Sequence, residues 1–254
     1  MSDQELENLS GIELLSDLNP GDLKKIEEAS SFRRYASHEQ IIDRQSETTD
    51  VFFVVSGDVR VVNYSLSGRE IALDDMTAGG YFGELAALDG EPRSASVMAL
   101  THCLIAALPQ ERFLPLLEKH PSIALKVMKV LARVVRTSTD RIMDLSTLAA
   151  NNRVQADLLR LARNHMDDGN RAEISPIPLH SDIASRASTT RETVARVLND
   201  PARRDVVERQ KECLVVLDME ILSNMVEKVR GNNPAQFPPS AGSPFISDGS
   251  PVVL

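Results

Sequence analysis

The stretch FGELAALDGEPRSASV, residues 82–97, has two halves that make sense only together. Gly83, Glu84 and Leu85 follow a Gly79-Gly80 turn and open a short apolar run, Leu85 to Leu88. A glycine there stands at the mouth of a one-turn helix, where free backbone N–H groups and the positive dipole end suit an anion. Eight residues after Leu85, Arg93 offers a planar cation able to hold a phosphate by two hydrogen bonds, and Ser94 adds a hydroxyl. Glu84 would be repelled by a phosphate but suits a ribose 2′-OH. Phosphate plus ribose hydroxyl means a nucleotide. A surface loop pairing Arg93 with Glu91 is the plainer alternative. The Pro92-Arg93-Ser94-Ala95 completion at this spacing favours the ligand site.

The segment resembles the phosphate-binding cassette of cyclic-nucleotide-binding domains, which occur in kinase regulatory subunits, gated channels and bacterial transcription regulators. By that resemblance Gly83, Glu84, Leu85, Arg93 and Ser94 are the expected ligand contacts. The rest of the chain discriminates among the three. No run of the 254 residues approaches the length of a bilayer span, which argues against a channel. The acidic start, MSDQELENLS, reads as neither signal nor transit peptide, so a cytoplasmic protein is expected, with no membrane partner. Cys103 and Cys213 cannot by themselves ligate an iron–sulfur cluster, and the five histidines lack metal-ligand spacing. No metal site is therefore expected; nor, on the regulator reading that follows, is any catalytic residue or enzymatic activity. The net charge of −9 sits in the front of the chain: residues 1–149 carry 15 Lys and Arg against 23 Asp and Glu, whereas residues 150–230 carry 13 of each. The back half is the one able to meet DNA.

Between Ile12 and Ala29 the apolar spacing is helical, with Asn19 as N-cap and Pro20 at the first helical position. From Ser31 to about Leu108 short apolar runs alternate with glycine turns, which predicts a small antiparallel barrel or jelly roll. Pro121 starts a run without a breaker to about Ala149. Met128, Val135, Ile142 and Ala149 recur every seven residues, and Leu131, Ser138 and Leu145 fall three later, as the seam of a parallel homodimer would. Ser138 is polar at a seam position and Thr139 follows it. They either set register or face a ligand, and the ligand reading is favoured. Residues 153–168 read as a further amphipathic helix.

Residues 179–200 read LHSDIASRASTTRETVARVLND. Ser181 suits the cap of one short helix, and Thr189 with Glu192 suits a capping box for a second. Two short helices across a tight turn are a helix-turn-helix, whose second helix presents Arg191, Glu192 and Arg196 to the major groove. The segment from Thr190 to Arg196 resembles the Ser-Arg-Glu-Thr-Val-Gly-Arg recognition helix of the cyclic-AMP receptor (catabolite activator)/FNR superfamily. Thr190, Arg191, Glu192 and Arg196 are accordingly the expected DNA-facing residues. Val206-Val207 and Leu214 to Leu217 predict the strands of a wing, and 218–229 a closing helix.

The resemblance runs over roughly residues 10–230 and implies an α+β chain. It comprises a cyclic-nucleotide-binding jelly-roll sensor (1–120), a dimerisation helix (121–149), a winged helix-turn-helix (150–230) and a disordered tail (231–254). It further implies an allosteric homodimer with cyclic AMP as effector, double-stranded DNA with TGTGA-like half-sites, RNA polymerase as partner, and Ser138 with Thr139 against the purine. A cyclic-GMP regulator and a ligand-independent DNA-binding dimer are the alternatives. Three residues depart from the family pattern: Ser188 replaces a turn glycine, Arg186 an apolar residue, and Pro201 a leucine. Proline should end the recognition helix near Asn199 and restart a turn that swings Arg203 and Arg204 away.

Overall fold

The computed structural model describes residues 8–66, 68, 70–163, 165–166, 169–200 and 206–231. The tail from 232 and the Pro201 to Arg204 segment lie outside them. A 3-10 turn, Glu13–Leu15, precedes α1, Pro20–Ala29, and Asn19 caps α1 by accepting the Asp22 N–H at 2.9 Å. Eight strands follow: β1 Ser31–Tyr35, β2 Gln40–Ile42, β3 Val51–Ser56, β4 Asp58–Tyr64, β5 Glu70–Thr77, β6 Tyr81–Phe82, β7 Ser96–Ala99 and β8 Cys103–Leu108. They form two antiparallel four-stranded sheets, ordered β1-β8-β3-β6 and β2-β7-β4-β5. The pairing does not run on between the sheets, so the predicted barrel is a two-sheet roll.

Strand β3 explains its own unbroken apolar sequence. Successive side chains of a strand point to opposite faces. Phe52 and Val54 enter the core between the sheets with Val59, Phe82, Val97 and Ile105. Val51 and Phe53 face the other way, into a second core with Leu9, Ile12, Leu15 and Phe113. Both faces are buried, so no alternation is visible.

Within the roll, α2, Glu84–Asp89, leaves β6. After β8 come α3, Gln110–Lys119, and the long α4, Pro121–Thr147. Ile123 and Val127 seat the first turns of α4 in the second core. Farther along, Met128, Val135, Ile142 and Leu145 are 56%, 65%, 62% and 52% exposed. Ala149, expected on the seam, lies past the helix end, whose C-cap is Leu148.

Helix α5, Ala150–Arg163, begins three residues earlier and stops sooner than periodicity predicted. The C-terminal module, called the reading module below for its expected role, then holds β9 Ala172–Ile174, α6 His180–Arg186, α7 Arg191–Leu198, β10 Val207–Arg209, β11 Leu214–Val216 and α8 Met219–Arg230. The wing gains a strand the sequence did not show, since β11 pairs with both β10 and β9. Asp144, buried near the end of α4, accepts from Arg160 of α5 at 2.6 Å and from Arg230 of α8 at 2.8 and 2.9 Å.

Candidate effector and DNA-binding sites

Gly83 caps the short α2 in a left-handed conformation, φ 83°. Only 3% exposed, Arg93 does not pair with Glu91. Its Nε donates to Thr48 Oγ1 at 3.0 Å, Nη1 to the Gly83 carbonyl at 2.8 Å and Nη2 to the Asp50 carbonyl at 2.8 Å. The ring of Phe52 lies 5.3 Å from its guanidinium carbon. The guanidinium thus fastens the cassette to the 45–50 loop, which also exchanges backbone hydrogen bonds with Arg93 through Gln45 and Ser46. Glu84 is half-buried; burial raises its carboxyl above the ordinary value, and Arg93 partly opposes this. Ser94 is exposed, and its carbonyl accepts a 3.4 Å bond from Asn63. Leu85 is 38% exposed, not core. Gly83, Glu84, Leu85 and Arg93 therefore gather around one glycine turn, while the contact of Ser94 is to Asn63 of β4. The signal sequence reasoning missed is the acceptor set of Thr48 and Asp50, which carries no motif of its own.

The long helix passes beside this turn. Arg133 lies close enough to Tyr81 and Asp74 to influence both ionisations. Ser138 and Thr139 follow Arg133 on the same helix, and both are exposed in the single protomer. Thr139 Oγ1 bonds the Val135 carbonyl of its own helix at 3.0 Å. Among the described residues, no hydrogen bond joins either residue to the cassette.

In the reading module two expected caps are displaced. α6 has Leu179 at its N-cap, with no side-chain bond, and Ser181 lies inside the first turn. α7 is capped by Thr190, one residue later than the predicted box, and its hydroxyl accepts from the Thr193 N–H at 3.3 Å. Glu192 therefore sits at the second helical position. Its carboxyl is lowered by its own backbone N–H and by Thr190, as suits a carboxylate at a helix start. Arg191, Glu192 and Arg196 are all exposed, and Arg196 Nη2 also reaches Asn151 Oδ1 at 3.1 Å. The helix ends at Leu198 with Asn199 as C-cap, where proline was expected to stop it. The turn departure is explained as well: Ser188 has φ 48°, a conformation that favours glycine. Arg153 secures that turn, its Nε donating to Ala187 O and its Nη2 to Ser188 O, both 2.9 Å. Nη1 of the same residue grips the carbonyl of Leu148, the C-cap of α4, also at 2.9 Å.

A cyclic nucleotide-binding domain family matches residues 32–120, and a Crp-like helix-turn-helix domain family matches residues 152–225. The cyclic AMP receptor protein of Thermus thermophilus is 36% identical over 157 residues, 62% of this chain and 70% of that protein. The chain belongs to the cyclic-AMP receptor protein/FNR superfamily. The cAMP-activated global transcriptional regulator CRP of Salmonella typhimurium is 26% identical over 188 residues, 72% of this chain and 88% of the relative. Among solved structures, a CooA variant from Carboxydothermus hydrogenoformans shares the fold with TM-score 0.72 and 23% identity, over 86% of this chain and 95% of that one. The protein is thus a superfamily member with a cyclic-nucleotide-binding domain and a DNA-binding domain, a transcription regulator. Among the described residues no helix is long and apolar enough to cross a membrane, and no group of three or more His, Cys, Asp or Glu could hold a metal ion. Both cysteines are buried and free.

Proposed function

We propose that the protein is a non-enzymatic homodimer, acting in the cytoplasm, that binds cyclic AMP at the cassette and then reads a palindromic site with TGTGA-like half-sites. The carrying observation is the exposed apolar stripe Met128, Val135, Ile142 and Leu145 on α4, interrupted by Ser138. An apolar stripe of this length is unfavourable in water, and a second copy of the same helix covers it by heptad packing. Ser138, with Thr139, then faces the purine from the seam. Glu84 takes the ribose hydroxyl. Arg93 and Ser94 take the phosphate, the arginine exchanging a carbonyl for a phosphate oxygen. Arg191, Glu192 and Arg196 read base edges, with Thr190 placing the helix start at the groove. RNA polymerase is the further partner of this assignment.

Cyclic AMP is preferred because the relative at 36% identity is a cyclic AMP receptor protein. Calorimetry with cyclic AMP, cyclic GMP and cyclic di-GMP, paired with sedimentation, tests the assignment. Tight binding of cyclic AMP alone to a dimer supports it. Preference for either guanine nucleotide, or a monomer at saturating ligand, rejects it.

A further inference from the structure

Strand β5 carries a bulge at Leu73. Val59 and Val61 of β4 stand opposite Met76 and Asp74, but Val62 stands opposite Ala72, so Leu73 is the extra residue. Residues directly opposite on an antiparallel pair share a face. Val59, Met76 and Val61 pack in or against the core between the sheets, so Asp74 continues an apolar row into the roll as a carboxylate. Asp75 points the other way, where Arg60 holds it through bonds of 2.6 and 2.9 Å. Arg141 of α4 fixes the bulge by donating to the Leu73 carbonyl.

Solvent reaches Asp74, yet the protein around it desolvates the carboxyl enough to raise it above the ordinary value. A side chain on the wall of an open cleft has both properties. Asp74 Oδ1 accepts the Asp75 N–H at 3.1 Å. Among the described residues, Oδ2 takes no hydrogen bond or ion pair. Parts of the candidate effector site stand on either side. Asp74 is near enough to Glu84 to raise that carboxyl too. From α4, the charges of Arg141 and Arg133 act on Asp74. Ser138 lies between these arginines, three residues before Arg141 and so on its face of the helix.

We infer that Asp74 reads the base of the effector: its free oxygen accepts a hydrogen bond from an amino group of the purine, the 6-amino group in cyclic AMP. The inference rests on the effector assignment above. The ligand's own connectivity supports the placement. Glu84 is assigned to the ribose 2′-OH, and the carbon bearing that hydroxyl is bonded to the one that carries the base. A group beside Glu84 on the α4 side therefore meets the base, not the phosphate assigned to Arg93. An ionised carboxylate only accepts, so it favours a base edge that offers N–H over one that offers oxygen or C–H. Hydrogen bonds to a charged group are the stronger kind, and a desolvated acceptor left unpaired discriminates against the wrong ligand.

The test compares cyclic AMP with the cyclic monophosphate of purine riboside, which has hydrogen in place of the 6-amino group, by competition calorimetry on the full chain. Wild type should prefer cyclic AMP by at least about tenfold. In Asp74→Ala the ratio of affinities should fall to about one. An aspartate that only supports the fold would weaken both nucleotides alike, and a ratio left at its wild-type value overturns the inference. A wild type that binds the two equally overturns it as well. Should the alanine variant not fold, Asp74→Asn decides, since it keeps the size and an acceptor but loses the charge. Its ratio should fall to about threefold, and an unchanged ratio overturns the inference. If wild type binds cyclic GMP and ignores cyclic AMP, the effector assignment fails by itself. Asp74 is then tested on cyclic GMP against cyclic inosine monophosphate, which lacks the 2-amino group. A preference that Asp74→Ala abolishes supports the base contact, and one that it leaves unchanged overturns it. A chain that binds neither nucleotide overturns both assignments.

Discussion

Arg93 Nη1 donates to the Gly83 carbonyl at 2.8 Å, and a Cβ built on Gly83 would stand 2.8 Å from that same nitrogen. The glycine is needed for its left-handed backbone and for the space the guanidinium occupies. Gly83→Ala should therefore destabilise the sensor by more than about 1 kcal/mol and weaken nucleotide binding. Thermal unfolding and calorimetry check both, and an alanine variant of native stability would show that the cassette can open without cost.

Arg93→Ala has two consequences that a surface arginine would not. It should weaken cyclic-nucleotide binding by at least about 1.5–3 kcal/mol, and also cost stability, roughly 1–3 kcal/mol for each carbonyl left without its donor. Comparing unfolding of the nucleotide-free variant with its binding isotherm separates the two losses. Binding lost with stability unchanged would mean that Gly83 and Asp50 find other donors.

Glu84 carries an opposite signature. Burial raises its carboxyl above the unfolded value, so between those two values the folded protein binds more protons. Its contribution to stability then grows as pH falls through the folded value toward the unfolded one, and is unfavourable above it. Glu84→Gln should stabilise the nucleotide-free sensor at neutral pH while weakening ribose binding. A 2′-deoxy cyclic nucleotide should lose affinity for wild type and much less for Glu84→Gln, as calorimetry will read.

Ser188→Gly relieves a left-handed serine and should stabilise the reading module by about 0.5–1 kcal/mol, net of the greater freedom of the unfolded glycine. Because Arg153 holds the same turn through backbone carbonyls, DNA affinity should not change. Chemical denaturation with a DNA titration distinguishes this from a role for the serine in reading DNA.

On α4, the proposed dimer helix, Ser138→Val should strengthen the seam and weaken nucleotide binding together. Sedimentation equilibrium beside calorimetry reads both. A change in dimer stability with binding untouched would make Ser138 a register residue only.

The cassette and recognition helix were legible because each is local: a glycine turn, an arginine ten residues on, a cap before an amphipathic turn. The long helix was legible for the same reason, through its period. The cap at Thr189 was misplaced because Ser188, Thr189 and Thr190 offer equivalent chemistry, and only backbone geometry selects Thr190; Ser181 was misplaced because α6 begins at His180 with Leu179 at its N-cap and no side-chain cap. Arg60 gave no signal, since its partners Asp75 and Asp182 are 15 and 122 residues away. Arg186 did stand out as a charge where the family pattern is apolar; its reason, Asp157 and Asp75, is visible only in three dimensions.

The three carbonyls held by Arg153 make one side chain answerable for two elements. Its guanidinium ties the C-cap of the long helix to the turn that carries α7. A substitution at residue 153 strips donors from both at once, so damage there cannot stay within one element.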